Sequence, residues 1–298
     1  MPPPAIPRAT YRLQLHRGFT FADAEAVVPY LARLGVSHVY VSPILKARAG
    51  STHGYDIIDH NQLNPEIGGR AELESLCASL AAHDMGLVVD FVPNHMGVGQ
   101  ADNAWWLDVL EWGEDSPYAR FFDIDWQPPR RELKGKVLLP FLGDHYGAVL
   151  ERGELVPKFD RDEGTLSVWY WQHRYPVAVA DYADLLQAAV PAGGAGDPLL
   201  DVVLDFRSLN AGQGGRSPAA RRQRAVQAKA RLAGLAAVRP DLAEAIDRSM
   251  STLAADPGRL HAVLERQHYR VSYWRVAADE INYRRFFDRT TGVSCNSL

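Results

Sequence analysis

Between residues 11 and 92, strand-like runs alternate with helix-like stripes, and this rhythm constrains the fold more than any other feature of the chain. Residues 11–15 alternate as a short strand. Thr20 offers an N-cap with Asp23 in the first turn, and Ala24, Val27, Val28 and Leu31 form one apolar stripe that Gly35 terminates. Residues 36–42 read as a second strand closed by Pro43. A long connection over 44–69 follows, of a length that is uncommon unless it serves a function. Leu73, Leu76, Cys77 and Leu80 repeat the helical stripe, which puts the Cys77 thiol in the core. Gly86 ends that helix, and 87–92 is apolar enough to be a strand buried on both faces. The repetition predicts an α/β fold with parallel pairing, as a closed barrel or a doubly wound sheet.

After Met96 the rhythm breaks. Residues 97–198 are rich in Trp, Pro, Gly and acids and lack long helical stripes, which reads as an insertion ending in an Ala/Gly-rich linker at 192–196. Asp205 lies in a strand-like run. Helices are expected from Pro218, after Pro240, and from Asp256-Pro257, the last with a stripe of Leu260, Val263, Leu264 and Gln267. The arginines of the first of these read as a solvated helix face. A net charge of −4 gives neither nucleic acid nor an anionic membrane an electrostatic hold. The N-terminal residues have no signal-peptide core and no run is long and apolar enough to span a bilayer, so the expectation is a soluble cytoplasmic protein.

Two polar clusters fall where a parallel barrel places its chemistry, beyond the carboxyl ends of strands. In one, Tyr55 offers a flat apolar ring for stacking on a pyranose and Asp56 accepts from adjacent hydroxyls, with His53 beside them and Gly50, Ser51 and Thr52 as a flexible wall. In the other, Asp90 lies in the third strand and Asn94 and His95 follow its end. Each cluster also has an ordinary reading, as turn residues and core anchors. His53, Asp56, Asp59 and His60 form a further His/Asp group that a transition metal could use, although their spacing matches no metal signature. The reading adopted takes no metal and no cofactor.

The segments TYRLQL, SPILKARAGSTHGYD, DHNQLNPEIGG and VVDFVPNHM, together with WWLDVLEWGEDSPYARFFDIDW, LPFLGDHYGAVLERGEL and YWRVAADEINYRRFFD, resemble the maltooligosyltrehalose synthases of the α-amylase family from about Arg8 to Asp288. VVDFVPNH alone marks only the broad family. The resemblance implies an incomplete (β/α)8 TIM barrel, its first three β/α units followed by a large, partly helical insertion after the third strand. It implies a maltooligosaccharide substrate whose reducing-end α-1,4 bond is rearranged within the molecule to an α,α-1,1 linkage. It also implies that Tyr55, Asp56, Asn94 and His95 surround the sugar ring whose bond breaks, that His53 reaches the same ring, and that Asp90 is structural support.

Such chemistry needs a carboxylate nucleophile and a second carboxyl as acid and base. The resemblance places the nucleophile after a fourth strand, in a Gly-x-Arg-x-Asp type segment, and the acid/base residue after a fifth, and residues 1–298 contain neither. The expected organisation is therefore barrel residues 1–96, an inserted and helical region 97–288, and an aberrant tail 289–298. The expectation is a truncated or frameshifted synthase with no catalytic residues and no turnover of its own. Two alternatives stay open: a catalytically dead carbohydrate-binding fragment, and another glucan hydrolase of the same broad family.

Overall fold

The computed structural model describes residues 6–191, 197–210, 217–275, 280–284 and 292–295. The linker expected at 192–196, and residues 276–279, 285–291 and 296–298 of the closing motif and tail, lie outside the described residues. The chain divides into two compact units: one is made of Met1–Val98 and Arg285–Leu298, the other of Gly99–Arg284.

In the first unit, β1 (Thr10–Leu13) leads to α1 (Phe21–Arg33), then β2 (His38–Val41), a hairpin of β3 (Leu45–Ala47) and β4 (Ile57–Leu63), α2 (Arg70–Ala82), β5 (Gly86–Val89) and β6 (His95–Gly97). Parallel strands β1, β2 and β5 form one sheet in that order, with Arg12 opposite Tyr40 and Tyr40 opposite Val88. Side chains alternate across a strand, so one face of this sheet is apolar. Leu13, Leu15, Val39 and Val41 share a core with Phe21, Val28 and Leu31 of α1 and Leu76 and Leu80 of α2. Both helix starts are closed by a carboxylate three residues in: Asp23 accepts from the Thr20 amide at 2.8 Å and Glu72 from the Gly69 amide at 2.9 Å.

Four expectations change here. The 44–69 connection contains the β3–β4 hairpin, whose irregular register and three-residue first strand hide it from a periodicity reading. The third strand stops at Val89, so Asp90 lies just past its end, although the Asp90 amide still donates to the Val41 carbonyl at 3.0 Å. That strand is not buried on both faces: among the described residues β5 pairs only with β2, and Val89 and Phe91 are exposed. Cys77 is exposed as well. At about 100° per residue it falls at the edge of the stripe that Leu73, Leu76 and Leu80 define.

The second unit runs α3 (Ala104–Trp112), β7 (Val137–Leu142), α4 (Tyr146–Glu151), β8 (Val156–Asp160), β9 (Thr165–Tyr170), β10 (His173–Pro176), α5 (Val179–Gln187), α6 (Pro198–Asn210), α7 (Pro218–Val238), α8 (Pro240–Ala254), α9 (Pro257–Leu264) and β11 (Tyr269–Tyr273). Strands β8, β9 and β10 make an antiparallel sheet, and β11 pairs in parallel with β7. Asp205 lies in helix α6, not in a strand, and binds Arg231 at 2.7 Å. Its run of Leu204, Phe206 and Leu209 satisfies helical spacing as well as it suggests a strand. Gln267 lies beyond the end of α9, where it is buried and bonded to Asp181 and the Ala178 amide. The arginines of α7 are not simply a solvated face. Arg222 holds Asp108 in two hydrogen bonds of 2.5 and 3.0 Å and Lys229 pairs with Glu111, both partners on α3.

A last short strand, β12 (Gly292–Ser294), pairs antiparallel with β6, and the Cys295 amide donates to the Asn94 carbonyl at 3.0 Å. Part of the expected tail is thus built into the first unit. No helix among the described residues is long and apolar enough to cross a membrane.

The turn between β8 and β9 gives a sharp test of packing in the second unit. Gly164 has φ +63°, and a Cβ there would lie 2.1 Å from the Lys229 carbonyl oxygen of α7. Gly164→Ala is expected to lower unfolding free energy by about 2–4 kcal/mol, since it adds left-handed strain to a backbone clash. Urea unfolding measures this, and a loss below about 0.5 kcal/mol, the range of ordinary surface substitutions, contradicts the close approach.

Candidate active site

The apolar face of the β1–β2–β5 sheet leaves its other face to the alternate positions, and on β1 and β2 these are polar. Arg12 and Tyr40 are register partners. Asp90 lies two residues beyond Val88, the partner of Tyr40 on β5, and so falls on the same face. The Asp90 Oδ2 atom receives hydrogen bonds from Arg12 Nη1 at 3.1 Å, from Tyr40 Oη at 3.0 Å and from the Tyr55 hydroxyl. Arg12 Nη2 also donates to the Tyr55 hydroxyl at 2.9 Å, and its guanidinium lies 4.3 Å from the Tyr40 ring centroid.

Partial burial of Asp90 favours its neutral form, but the three donors and the Arg12 charge outweigh this and hold its carboxyl below the usual range. The same contact raises Tyr55: the hydrogen bond to Asp90 comes first and burial adds to it. The phenol therefore stays protonated and donates.

Tyr55 belongs to the turn between β3 and β4, which is braced from inside. Ser51 Oγ donates to Asp56 Oδ1 at 2.5 Å and accepts from the Gly54 amide at 3.1 Å, while the Arg48 amide bonds the Asp56 carbonyl at 3.1 Å. Gly54 has φ +76°, and a Cβ there would meet the Pro43 carbonyl oxygen at 2.7 Å, so the turn demands glycine. His53 stacks on Tyr55 with ring centroids 6.0 Å apart, and its Nδ1 accepts from the Tyr55 amide at 3.0 Å. The same Nδ1 lies 3.9 Å from Asp56 Oδ1. Asp56 Oδ2 has no hydrogen-bond partner among the described residues.

His95 is buried on β6, with Nδ1 3.1 Å from Asn94 Oδ1 and a hydrogen bond to the Tyr55 main chain. Burial is the largest influence on its ring and lowers its pKa. The Tyr55 main chain and the Asp56 charge pull the other way, while His60 adds to the lowering. The structure therefore brings His53, Tyr55, Asp56, Asp90, Asn94 and His95 into one neighbourhood, linked through Tyr55. Arg12 and Tyr40 are the members that the sequence reading missed. Their signal was legible: Arg12 and Gln14 on one strand, and His38, Tyr40 and Ser42 on the next, mark a polar face at every second position.

The four residues of the metal reading make other contacts. Asp59 accepts from the Asn61 amide and from Gln62, both at 2.8 Å, and His60 Nε2 lies 3.2 Å from the Val92 carbonyl. Among the described residues no three His, Cys, Asp or Glu side chains group to hold an ion.

Comparison with known proteins agrees with this reading of the fold. The family described as Alpha amylase, catalytic domain, matches residues 25–150, and with the solved structures below it implies a TIM-barrel-like α/β fold. A protein of Mycobacterium tuberculosis described as a putative maltooligosyl trehalose synthase is 52% identical over 141 residues, covering 45% of this chain and 18% of that protein. The solved maltooligosyltrehalose synthase from Arthrobacter ramosus matches with TM-score 0.61 and 32% identity over 97% of this chain and 27% of its own. Another solved maltooligosyl trehalose synthase matches with TM-score 0.65 and 27% identity, covering 98% of this chain and 28% of its own. The chain is similar to the two solved synthases along nearly its whole length and to the mycobacterial protein over less than half of it, and it spans less than a third of each.

Two measurements check the electrostatics. Asp90→Asn is expected to cost about 1–3 kcal/mol near neutral pH, a buried-pair loss discounted for the partial exposure of Arg12. Asp90 titrates lower folded than unfolded, so its contribution is complete above the unfolded value of 3.8 and fades as pH falls through the folded one. The gap between parent and variant should close on acidification, and a gap that widens contradicts the anchor. For His95, the folded ring takes up its proton at lower pH than the unfolded ring at 6.5, so stability falls as pH drops below that value. An NMR titration of the imidazole should give a midpoint below 6.5; a midpoint above it contradicts the burial account.

Proposed function

We propose that this chain carries the sugar-gripping part of a maltooligosyltrehalose synthase, an isomerase acting by intramolecular glucosyl transfer. In this reading the first unit is the opening three β/α repeats of a (β/α)8 barrel, and the second unit is a domain inserted after the third strand. The reducing-end α-1,4 bond of a maltooligosaccharide is cleaved, and the freed glucose is held, turned and rejoined through its anomeric hydroxyl as an α,α-1,1 linkage.

The observation that carries the proposal is the convergence around Tyr55. Its ring, backed by His53 and tied at its hydroxyl to Asp90, offers a pyranose a fixed flat face. Asp56 Oδ2, which takes no hydrogen bond from the described residues, would accept a sugar hydroxyl, and His95 and Asn94 would bind on the side of β6. A neutral imidazole suits this role, since it can both donate to and accept from hydroxyls. Intramolecular transfer needs the glucose to be retained and water excluded, so rigid gripping matters as much as the covalent step.

The covalent step is a separate matter. A retaining mechanism requires two carboxyl groups about 5–5.5 Å apart across the scissile bond, and residues 1–298 include no segment of the type that would supply the nucleophile. Asp205 does not substitute, because it is committed to Arg231 on a helix of the second unit. We therefore assign this chain binding without turnover.

Incubation with maltopentaose is expected to leave the reducing ends unchanged, while calorimetry detects a complex that Tyr55→Ala weakens at least about tenfold, near 1.4 kcal/mol. Loss of reducing ends with the chain alone overturns the assignment of inactivity. Binding that ignores the Tyr55 substitution overturns the sugar site.

A further inference from the structure

A polar cavity lies wholly within the Gly99–Arg284 unit, between β11 and the ends of α4 and α9. It has a volume of about 200 Å³, below the range of about 300–1,000 Å³ typical of pockets for drug-sized ligands and suited to a single small ring. His145 and Tyr273 form an aromatic wall, with ring centroids 5.1 Å apart and planes inclined by 55°. Tyr146, whose hydroxyl lies 2.9 Å from His261 Nδ1, extends that wall.

Glu265 and Arg270 line the same cavity 3.8 Å apart, a loose pair in which each partner is more than a third exposed. A carboxylate with spare lone pairs beside a guanidinium with spare N–H groups is matched to vicinal hydroxyls, which present a donor and an acceptor at similar spacing. Tyr269 also lines the cavity and is buried, its ring 5.7 Å from that of Tyr175. Opposite charges side by side leave no strong field for an ion, and the aromatic wall offers a face to C–H groups.

We propose that this cavity is a second carbohydrate site, taking one neutral pyranose unit through His145, Tyr273, Glu265 and Arg270. That the sugar is a glucosyl unit rests on the function proposed above; the preference for a neutral polyhydroxylated ring does not. The site would hold a further part of a glucan chain, or a free glucoside, independently of the Tyr55 neighbourhood.

Hydrogen–deuterium exchange of the full chain with saturating maltose tests this. Exchange in Tyr269–Tyr273 is expected to slow at least about threefold, and Arg270→Gln should abolish that protection while leaving any protection at 53–56 and 94–95 unchanged. His145→Ala carries the same expectation if Arg270→Gln proves unstable. Protection at 53–56 and 94–95 with none at Tyr269–Tyr273 overturns this inference and leaves the proposed function standing. The converse pattern upholds this site and overturns the other, and protection at neither overturns both. Slowing at Tyr269–Tyr273 by inorganic phosphate and not by maltose identifies an anion site and likewise overturns the inference.

Discussion

One carboxylate oxygen organises the first unit. Asp90 Oδ2 gathers a guanidinium from β1, a phenol from β2 and a second phenol from the turn of the β3–β4 hairpin. Hydrogen bonds to an ionised acceptor are roughly twice as strong as neutral ones, and here they tie a long connection to two strands of the parallel sheet. Without this anchor the turn would keep its internal braces at Ser51 and Gly54, but the Tyr55 ring would lose the attachment that fixes its direction. Every functional reading of the neighbourhood therefore depends on Asp90 staying charged, and its three donors keep it so.

This division of labour explains which parts were legible in the sequence. The β–α–β–α–β order was readable because Ala24, Val28 and Leu31, and Leu76 and Leu80, follow helical period with clear stops behind them. The segments around Tyr55 and His95 stand out because their motifs resemble a known family, although Tyr55 lies in a hairpin turn and His95 within β6 and neither directly follows a barrel strand. Arg12 and Tyr40 are harder to read because they sit within strands on a polar face, where no motif or strand end marks them. The hairpin at Leu45–Ala47 and Ile57–Leu63 was missed because its register is interrupted twice within three residues. Asp205 was misplaced because a short apolar run with one acid fits both periods, and only its place in α6 beside Arg231 decides between them.

The exposed β5 edge belongs to the same account. Val39 and Val41 are fully buried between strands, whereas their register partners Leu87 and Val89 are not, because no further strand pairs with β5 among the described residues. Apolar surface at an open strand edge is a pairing template. Within the proposed barrel that edge would receive the next parallel strand, the element that would lead to the covalent machinery.

The most direct measurement is a crystal structure of the chain grown with maltotriose. The account predicts a glucosyl ring stacked on Tyr55, with a hydroxyl on Asp56 Oδ2 and another within hydrogen-bond reach of His95, while the Tyr55 hydroxyl remains on Asp90. A Tyr55 side chain turned away from Asp90, or sugar bound with no contact to Tyr55 or His95, would contradict it.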